Sequence, residues 1–485
     1  MLTSTRKRLN VAPSVGVVKG ISDEGGLFIF ENASEFKFDK SLLRLDYIGL
    51  AERVLSFVFD DFKIEDIREI INSAYSKENF DEIVGVKSFG KTTFLELWHG
   101  PTHAFKDMAL TVLGRLMVKA KENIGEMDRT LVLTATSGDT GSATLSGFSG
   151  TGIDAIVLYP HGGVSPVQEA QMQYFAKNGS KAISVEDNFD FCQSLVKKVF
   201  TDKGIELENA KFSSANSINI GRLVPQIVYY IYTYLELVRN DVISFGDEIN
   251  FCVPTGNFGN ILAGFIAYKM GLPVNKFICA SNANDVLTDF FNTGVYDRKR
   301  EFFKTISPSM DILVSSNLER LLYLASGGDF ELIDKLMNDL AEKGRYEIPE
   351  SLKKELGKFV AYSLDDVKTE QVIRDEFEKD NYLIDPHTAV ALGATIKYQN
   401  EVNDGLQCVV VSTASPYKFP EPVCDSLKLE RGKDIFETIS IIEKATNTVA
   451  PQGIKRLEKF KFDRVVWEKD KAEYNLRKLS GDKNV

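Results

Sequence analysis

Residues 130–148 read TLVLTATSGDTGSATLSGF. The first seven, Thr130–Thr136, are apolar or β-branched without polar alternation, which predicts a strand buried on both faces. The glycine-bearing turn SGDTG follows at 137–141, and the run after it has helical spacing. Strand, polar turn and helix in that order make one βα unit, and the pattern recurs. Asp154–Tyr159 (DAIVLY) leads into PHGGVSPVQEAQMQYFAKNG, Asn250–Pro254 (NFCVP) into TGNFGNILAGFIAYKMG, and Cys408–Thr413 (CVVVST) into ASPYKFPEPV. Repeated βα units predict an α/β fold on parallel sheets. Ligands of such sheets sit beyond the carboxyl ends of the strands, so TSGDTG, TGNFGN and TASPYK mark the expected site.

The rest of the chain limits what that site belongs to. A length of 485 residues argues for two or three domains. The N-terminal part reads differently from the βα repeats: a turn and apolar strand in GISDEGGLFIF (20–30), then helix-like segments from Phe38 to Ala74. It is expected to form a small α/β unit ending near residue 85. The charged, helical stretch from Asp434 onward reads as a peripheral tail. A net charge of −11 disfavours a general nucleic-acid or anionic-membrane surface, so neither partner is expected. No apolar run reaches membrane-spanning length, and the basic start MLTSTRKRLN has no apolar core after it, so no signal peptide is expected. Five scattered cysteines without CxxC spacing predict reduced thiols in a cytoplasmic protein and no zinc site.

Residues 99–109, HGPTHAFKDMA, hold two of the four histidines, four apart. On a helix that spacing would present two metal ligands. Pro101 lies between them and opposes a helical turn, and no HExxH glutamate is present, so no metal site is expected. Lys106 is the more informative residue. It stands just inside a helix start beside Phe105, and a desolvated lysine loses its preference for the charged form and can join an aldehyde. GNFGN (256–260) sits between strand and helix, where glycines admit a ligand and free N–H groups attract an anion. Alone, it is equally well read as a tight turn. TSGDTG (136–141) offers Ser137, Thr140 and backbone amides to a carboxylate, or else a helix cap by Ser137 or Asp139. A lysine in an aromatic setting, a carboxylate turn, a phosphate turn and the late hydroxyls Ser412–Thr413 together fit one cofactor, pyridoxal 5'-phosphate.

These motifs, in this order, resemble threonine synthase in its long form, a pyridoxal-phosphate family of fold type II (tryptophan-synthase-β-like). The resemblance rests on TSTR and GGLF near the start, HGPTHAFKD, TATSGDTG, VSPVQEAQM, NSIN (216–219), VPTGNFGN, IDPHTAVAL and TASPYKFP. It implies two parallel or mixed-sheet α/β domains plus a small N-terminal one. The boundaries that go with it are 1–85 for the N-terminal domain, 86–210 for a smaller cofactor- and substrate-binding domain, 211–430 for a larger domain binding the cofactor phosphate, and 431–485 for the tail.

The resemblance also implies roles. Lys106 corresponds to the lysine that carries the cofactor and acts as base. Gly256, Asn257, Phe258, Gly259 and Asn260 correspond to the loop around its phosphate, and Thr413 to the hydroxyl facing the pyridine nitrogen. Ser137, Gly138 and Thr140 correspond to the turn that takes the substrate carboxylate. Asp139 of that turn either approaches the phenolic oxygen, sharing one proton, or caps the helix. Asn216 and Arg222 are assigned to the substrate phosphate. The chain departs from the family pattern at Asn260, where GNFGD has an aspartate, and at Ser415 and Tyr417, where TAHPAKF has a histidine and a small residue. Both of the latter bear on the pocket near the ring. The implied reaction is O-phospho-L-homoserine plus water giving L-threonine and phosphate, in a monomer or small homo-oligomer. Two alternatives accompany it: a phospholyase giving 2-oxobutyrate, ammonia and phosphate, and a catalytically silent cofactor-binding relative.

Overall fold

The computed structural model describes residues 1–202, 205–207 and 209–484. Its largest sheet has six strands in the order Phe359–Ser363, Val274–Ser281, Ile249–Pro254, Cys408–Ser412, Thr92–Glu96 and Gly85–Phe89. The first five run parallel, and Gly85–Phe89 closes one edge antiparallel. The second sheet has five parallel strands: Val466–Trp467, Lys181–Val185, Asp154–Pro160, Arg129–Ala135 and Ala210–Ser213. Helices fill the connections, as parallel strands require. The central strands are buried along nearly their whole length, the physical counterpart of their unbroken apolar runs.

The N-terminal part pairs Thr3–Ser4 with Phe28–Ile29 and adds the helices Pro13–Lys19, Tyr47–Val58 and Ile64–Ala74. It is tied to the sheets by Ser213 Oγ, which donates to the Val18 carbonyl, and by Asn219 Nδ2, which donates to that of Val17. No described helix is long and apolar enough to cross a membrane.

The sheets cut across two of the expected boundaries. Gly85–Phe89 and Thr92–Glu96 open the 86–210 segment, yet they join the six-stranded sheet, because Thr92–Glu96 pairs with Cys408–Ser412 more than 300 places along the chain. Ala210–Ser213, at the other boundary, pairs with Arg129–Ala135 and so belongs to the smaller sheet. The C-terminal stretch is not peripheral either. Val466–Trp467 extends the smaller sheet, and the helix Ile435–Thr446 buries Ile439 and Ile442 against Tyr417, Val423 and Val167. Its many charges lie on the outer faces of these amphipathic elements and mask the apolar stripe.

Candidate functional site

The strand Cys408–Ser412 delivers its end beside the loop that holds Lys106. Ser412 carbonyl accepts from Leu97 N–H at 3.0 Å, and Thr413 carbonyl from Phe105 N–H at 2.8 Å. Within the loop, Asp107 folds HGPTHAFKD back on itself by accepting from both the N–H and the hydroxyl of Thr102, each at 2.7 Å. Asp107 then starts the helix Asp107–Ile124, with Lys106 at the cap position. The histidines of the loop have separate partners, Glu96 Oε2 for His99 and the Trp98 carbonyl for His103. No group of metal-ligand type is assembled among the described residues.

Lys106 is only 8 % exposed. Its Nζ lies 3.2 Å from Asp139 Oδ2 and 3.4 Å from Ser309 Oγ, with the Phe105 ring at 4.8 Å. Burial pulls the amine below its ordinary value; Asp139 opposes this, while Arg222 and Lys418 add to it. Asp139 shows the reverse balance. Burial works against its ionisation, but Lys106 and Lys418 outweigh burial and hold the carboxyl well below the usual range. Its second oxygen accepts from Gln168 Nε2 at 2.9 Å and pairs with Lys418 Nζ at 2.8 Å.

Neither Ser137 nor Asp139 caps the helix Asp139–Phe148, against one of the two sequence readings. Gly138 holds the cap position without a side-chain bond, and Thr136 Oγ1 takes the N–H groups of Gly138 and Gly141 instead. Gly138 has φ +138°, and a Cβ there would strike the Gln168 side chain at 2.3 Å. The turn needs glycine to let Gln168 reach Asp139. The N–H groups of Ser137, Asp139 and Thr140 make no hydrogen bond within the described residues, so they remain available to a ligand.

The GNFGN turn is built as a cradle. Its carbonyls face away: Gly256 O accepts from Ser315 Oγ, and Asn257 O from both the N–H and Nδ2 of Asn317. Arg320 holds Asn317 in turn, through Oδ1, and also donates to the carbonyls of Phe28 and Ile218. Phe258 takes the left-handed conformation, φ +63°, and sends its ring toward Phe291 and Phe359. The N–H groups of residues 256–260 are left without partners in the described chain, at the N-terminus of the helix Gly259–Lys269. Asn257 itself is exposed, so only its backbone serves the cradle. At Gly256 a Cβ would meet Ser309 O at 2.8 Å, so the chain itself requires glycine. At Gly259 it would meet nothing nearer than Asn317 and Ser217, each at 3.5 Å. Asn260 Oδ1 accepts from Tyr229 and Tyr230 hydroxyls, and its buried Nδ2 has no partner.

Arg222 is buried and donates once, to Ala215 O at 2.9 Å, without an ion pair among the described residues. Asn216 is half-buried in the same turn, and the next residue, Ser217, lies against Gly259. Thr413 is buried, and its hydroxyl makes no hydrogen bond within the described residues. Of the residues expected at the site, Lys106, Asp139 and Gly256 meet at Ser309, and the 215–222 turn that carries Asn216 and Arg222 lies against Gly259 through Ser217.

A family model described as pyridoxal-phosphate dependent enzyme matches residues 92–414, and one described as threonine synthase N terminus matches residues 2–75. The chain belongs to the threonine synthase family of pyridoxal-phosphate dependent enzymes. Threonine synthase-like 1 of Homo sapiens is 38 % identical over 498 aligned residues, covering 97 % of the chain but only 64 % of that protein. The chain thus spans less than two thirds of that relative's length. Threonine synthase of Saccharomyces cerevisiae is 35 % identical over 447 residues, covering 85 % of each. Among solved structures, the pyridoxal-phosphate-bound threonine synthase of Brucella melitensis superposes with a TM-score of 0.85 at 32 % identity over 99 % of both chains. The yeast enzyme gives 0.86 at 31 % identity over 99 % and 98 %. Membership gives the chain the fold of type II pyridoxal-phosphate dependent enzymes, and the cradle, the buried lysine and the unpaired donors of this threonine synthase family member fit that cofactor.

Sequence reasoning gave no role to Lys418, Gln168, Ser309 or His387. Three of them stood inside quoted motifs: TASPYKFP, VSPVQEAQM and IDPHTAVAL. His387 receives the Ser309 N–H on Nε2 at 3.1 Å and faces Asp385 with Nδ1 at 2.8 Å, which fixes the ring proton on Nδ1. Ser309 is thereby pinned against Lys106 and Asp139. Lys418 shares one feature with Lys106, an aromatic residue directly before it, Tyr417. The departures Ser415 and Tyr417 lie in the turn that carries Lys418. Ser415 caps the short turn Pro416–Lys418, and Tyr417 bonds Thr448 of the C-terminal segment.

Proposed function

We propose that the chain converts O-phospho-L-homoserine and water to L-threonine and phosphate. The observation that carries this reading is Arg222. Burial pulls its guanidinium down to about 10, still charged at neutral pH, yet no carboxylate of the described chain pairs with it. A buried unpaired charge costs several kcal/mol and is retained where a ligand anion completes it. The 256–260 cradle already offers the cofactor phosphate its place, so a second anion site argues for a substrate with a phosphate of its own.

The chain's residues then divide the work. The cofactor, when bound, supplies the electron sink that acidifies the substrate's carbon–hydrogen bonds. Lys106 Nζ is the group we assign to take and return those protons, and burial lowers its amine toward the neutral form a base needs. Asp139 and Ser309 hold that nitrogen in place. The N–H groups of Ser137, Asp139 and Thr140, with the adjacent hydroxyls, receive the substrate carboxylate. Arg222, with Asn216 beside it, receives the phosphate that leaves. Thr413 offers a neutral hydroxyl to the ring nitrogen, which avoids the strong protonation an acidic partner would impose. Lys106, Asp139, Thr413, Asn260 and Arg222 are all less than a tenth exposed, so bulk water is excluded from the reacting atoms.

A second reading, in which phosphate is eliminated without addition of water at Cβ, stands beside it because the similar proteins include ones named threonine synthase-like 1 as well as threonine synthases. The experiment is to incubate purified protein with O-phospho-L-homoserine and quantify threonine, 2-oxobutyrate and phosphate together. Threonine equal to phosphate supports the proposal, 2-oxobutyrate equal to phosphate replaces it with the lyase reading, and release of neither by a cofactor-loaded protein overturns both. Lys106→Ala is the control, expected to fold, to lose the visible band of lysine-bound cofactor and to release no phosphate.

A further inference from the structure

Lys418 is fully buried at the end of the turn Pro416–Lys418, six residues beyond the strand Cys408–Ser412. Its Nζ touches two acceptors, Asp139 Oδ1 at 2.8 Å and the Thr102 carbonyl at 2.9 Å. Thr102 is itself locked by Asp107, and its carbonyl also accepts from Gln171. The ammonium is therefore held by the loop that ends in Lys106 and by the carboxylate that Lys106 contacts. Asp139 divides its oxygens: Oδ2 serves Lys106 and Ser309, and Oδ1 serves Lys418 and Gln168.

We propose that Lys418 is a positioning residue that keeps Asp139 paired whether or not Lys106 carries a proton, and so frees Lys106 to act as an amine. The argument rests on the reading of Lys106 as the reactive lysine. With one lysine only, Asp139 and Lys106 would be a closed buried pair. Removing the Lys106 proton would then strand a carboxylate with no counter-charge, which is strongly unfavourable. With Lys418 present, the pair Asp139–Lys418 remains when Lys106 becomes neutral, and the second positive charge also repels the proton on Lys106. The other charged groups are accounted for. Arg222 faces Lys106 with the same sign as Lys418. Asp107 and His103 lie within electrostatic reach of Lys418, and His387 meets the cluster only through the Ser309 N–H. None of these touches Asp139, so none can take over the pairing.

The test reads Lys106 directly. Full-length cofactor-free protein is treated with formaldehyde and cyanoborohydride across pH 6–10, and methylation of the Lys106 peptide is followed by mass spectrometry. Lys418→Met is expected to lower Lys106 reactivity at pH 7 by about tenfold or more, moving the half-reaction pH up by about one pH unit. Lys418→Arg, which keeps the charge, is expected to stay near wild type. Asp139→Asn is expected to move the profile the other way. A wild-type profile in Lys418→Met, or an equal shift in Met and Arg variants, would overturn the proposal. Should Lys418→Met not fold, an Asp139→Asn profile unchanged or moved upward would do the same. Borohydride reduction of the cofactor-loaded wild type tests the underlying reading separately: an adduct on another lysine sinks the assignment of Lys106, whatever the methylation profiles show.

Discussion

Asp107 gives the site a measurable pH signature in stability. It is fully buried, and burial raises its carboxyl from the ordinary 3.8 to about 6, with the two bonds from Thr102 opposing the rise. A carboxyl whose midpoint is raised on folding favours the folded state while it is protonated. Its contribution is complete below the unfolded midpoint, near 3.8, and is lost as the pH climbs through about 6. The distance between the two midpoints corresponds to about 3 kcal/mol at full ionisation. Other carboxylates run the opposite way, Asp139 foremost, so absolute stability against pH would mix signs. The difference between wild type and Asp107→Asn isolates the term, because asparagine does not titrate and can still accept from Thr102 N–H. Urea unfolding of both proteins at several pH values from 4 to 7 should show the wild type losing about 2.4 kcal/mol relative to the variant over that range, most of the full difference. A difference independent of pH would show that Asp107 is not desolvated in the folded state. A difference growing with pH in favour of wild type would show that the bonds from Thr102 outweigh burial.

The two cradle glycines should separate under substitution. Gly259→Ala is expected to leave stability unchanged or raised by about 0.5–1 kcal/mol, while cofactor affinity in titrations of cofactor-free protein falls. Gly256→Ala should instead destabilise the fold, because its Cβ meets Ser309 O, and equal behaviour of the two would refute the cradle. Thr413→Ala should weaken cofactor binding by only about 1 kcal/mol, the worth of one neutral hydrogen bond; Thr413→Asp should alter the visible spectrum and cut turnover, and a wild-type spectrum and rate would place Thr413 away from the ring nitrogen. Arg222→Met should raise the KM for O-phospho-L-homoserine by roughly 10–100-fold, as loss of a charge-assisted hydrogen bond would, with the cofactor spectrum unchanged. An unchanged KM would remove Arg222 from the substrate's phosphate.

The parallel sheets were legible because strands buried on both faces leave uninterrupted apolar runs, as in TLVLTAT and CVVVST. Assignment of strands to sheets was not legible in the same way. Thr92–Glu96 lies next in sequence to the segment of the smaller sheet, and nothing local shows that its hydrogen-bond partner is Cys408–Ser412. The C-terminal helices were misjudged for a related reason. Ile439 and Ile442 are buried, but the high charge of the segment hides a stripe that only its packing against Tyr417 and Val423 reveals.

The chemistry of the site was legible where it depends on the backbone and obscure where it depends on buried charge. Glycine-bearing turns announce N–H groups that can approach a ligand: GNFGN keeps its N–H groups without partners among the described residues, and TSGDTG keeps those of Ser137, Asp139 and Thr140, while Gly138 and Gly141 bond Thr136 Oγ1. A buried ion cluster has no such local mark. Lys106, Asp139 and Lys418 are drawn from three segments, and each alone reads as a surface residue, since charged side chains are seldom fully buried unless paired. Sequence could suggest Lys106 through Phe105 and its neighbouring motif, but it could not show that Asp139 has two cations to satisfy. That count changes the chemistry. A carboxylate with one lysine partner holds that lysine's proton, whereas a carboxylate with two can release one without being left unpaired. On the proposed reading of Lys106, the second lysine, not the carboxylate alone, is therefore what turns a structural ion pair into a reactive amine.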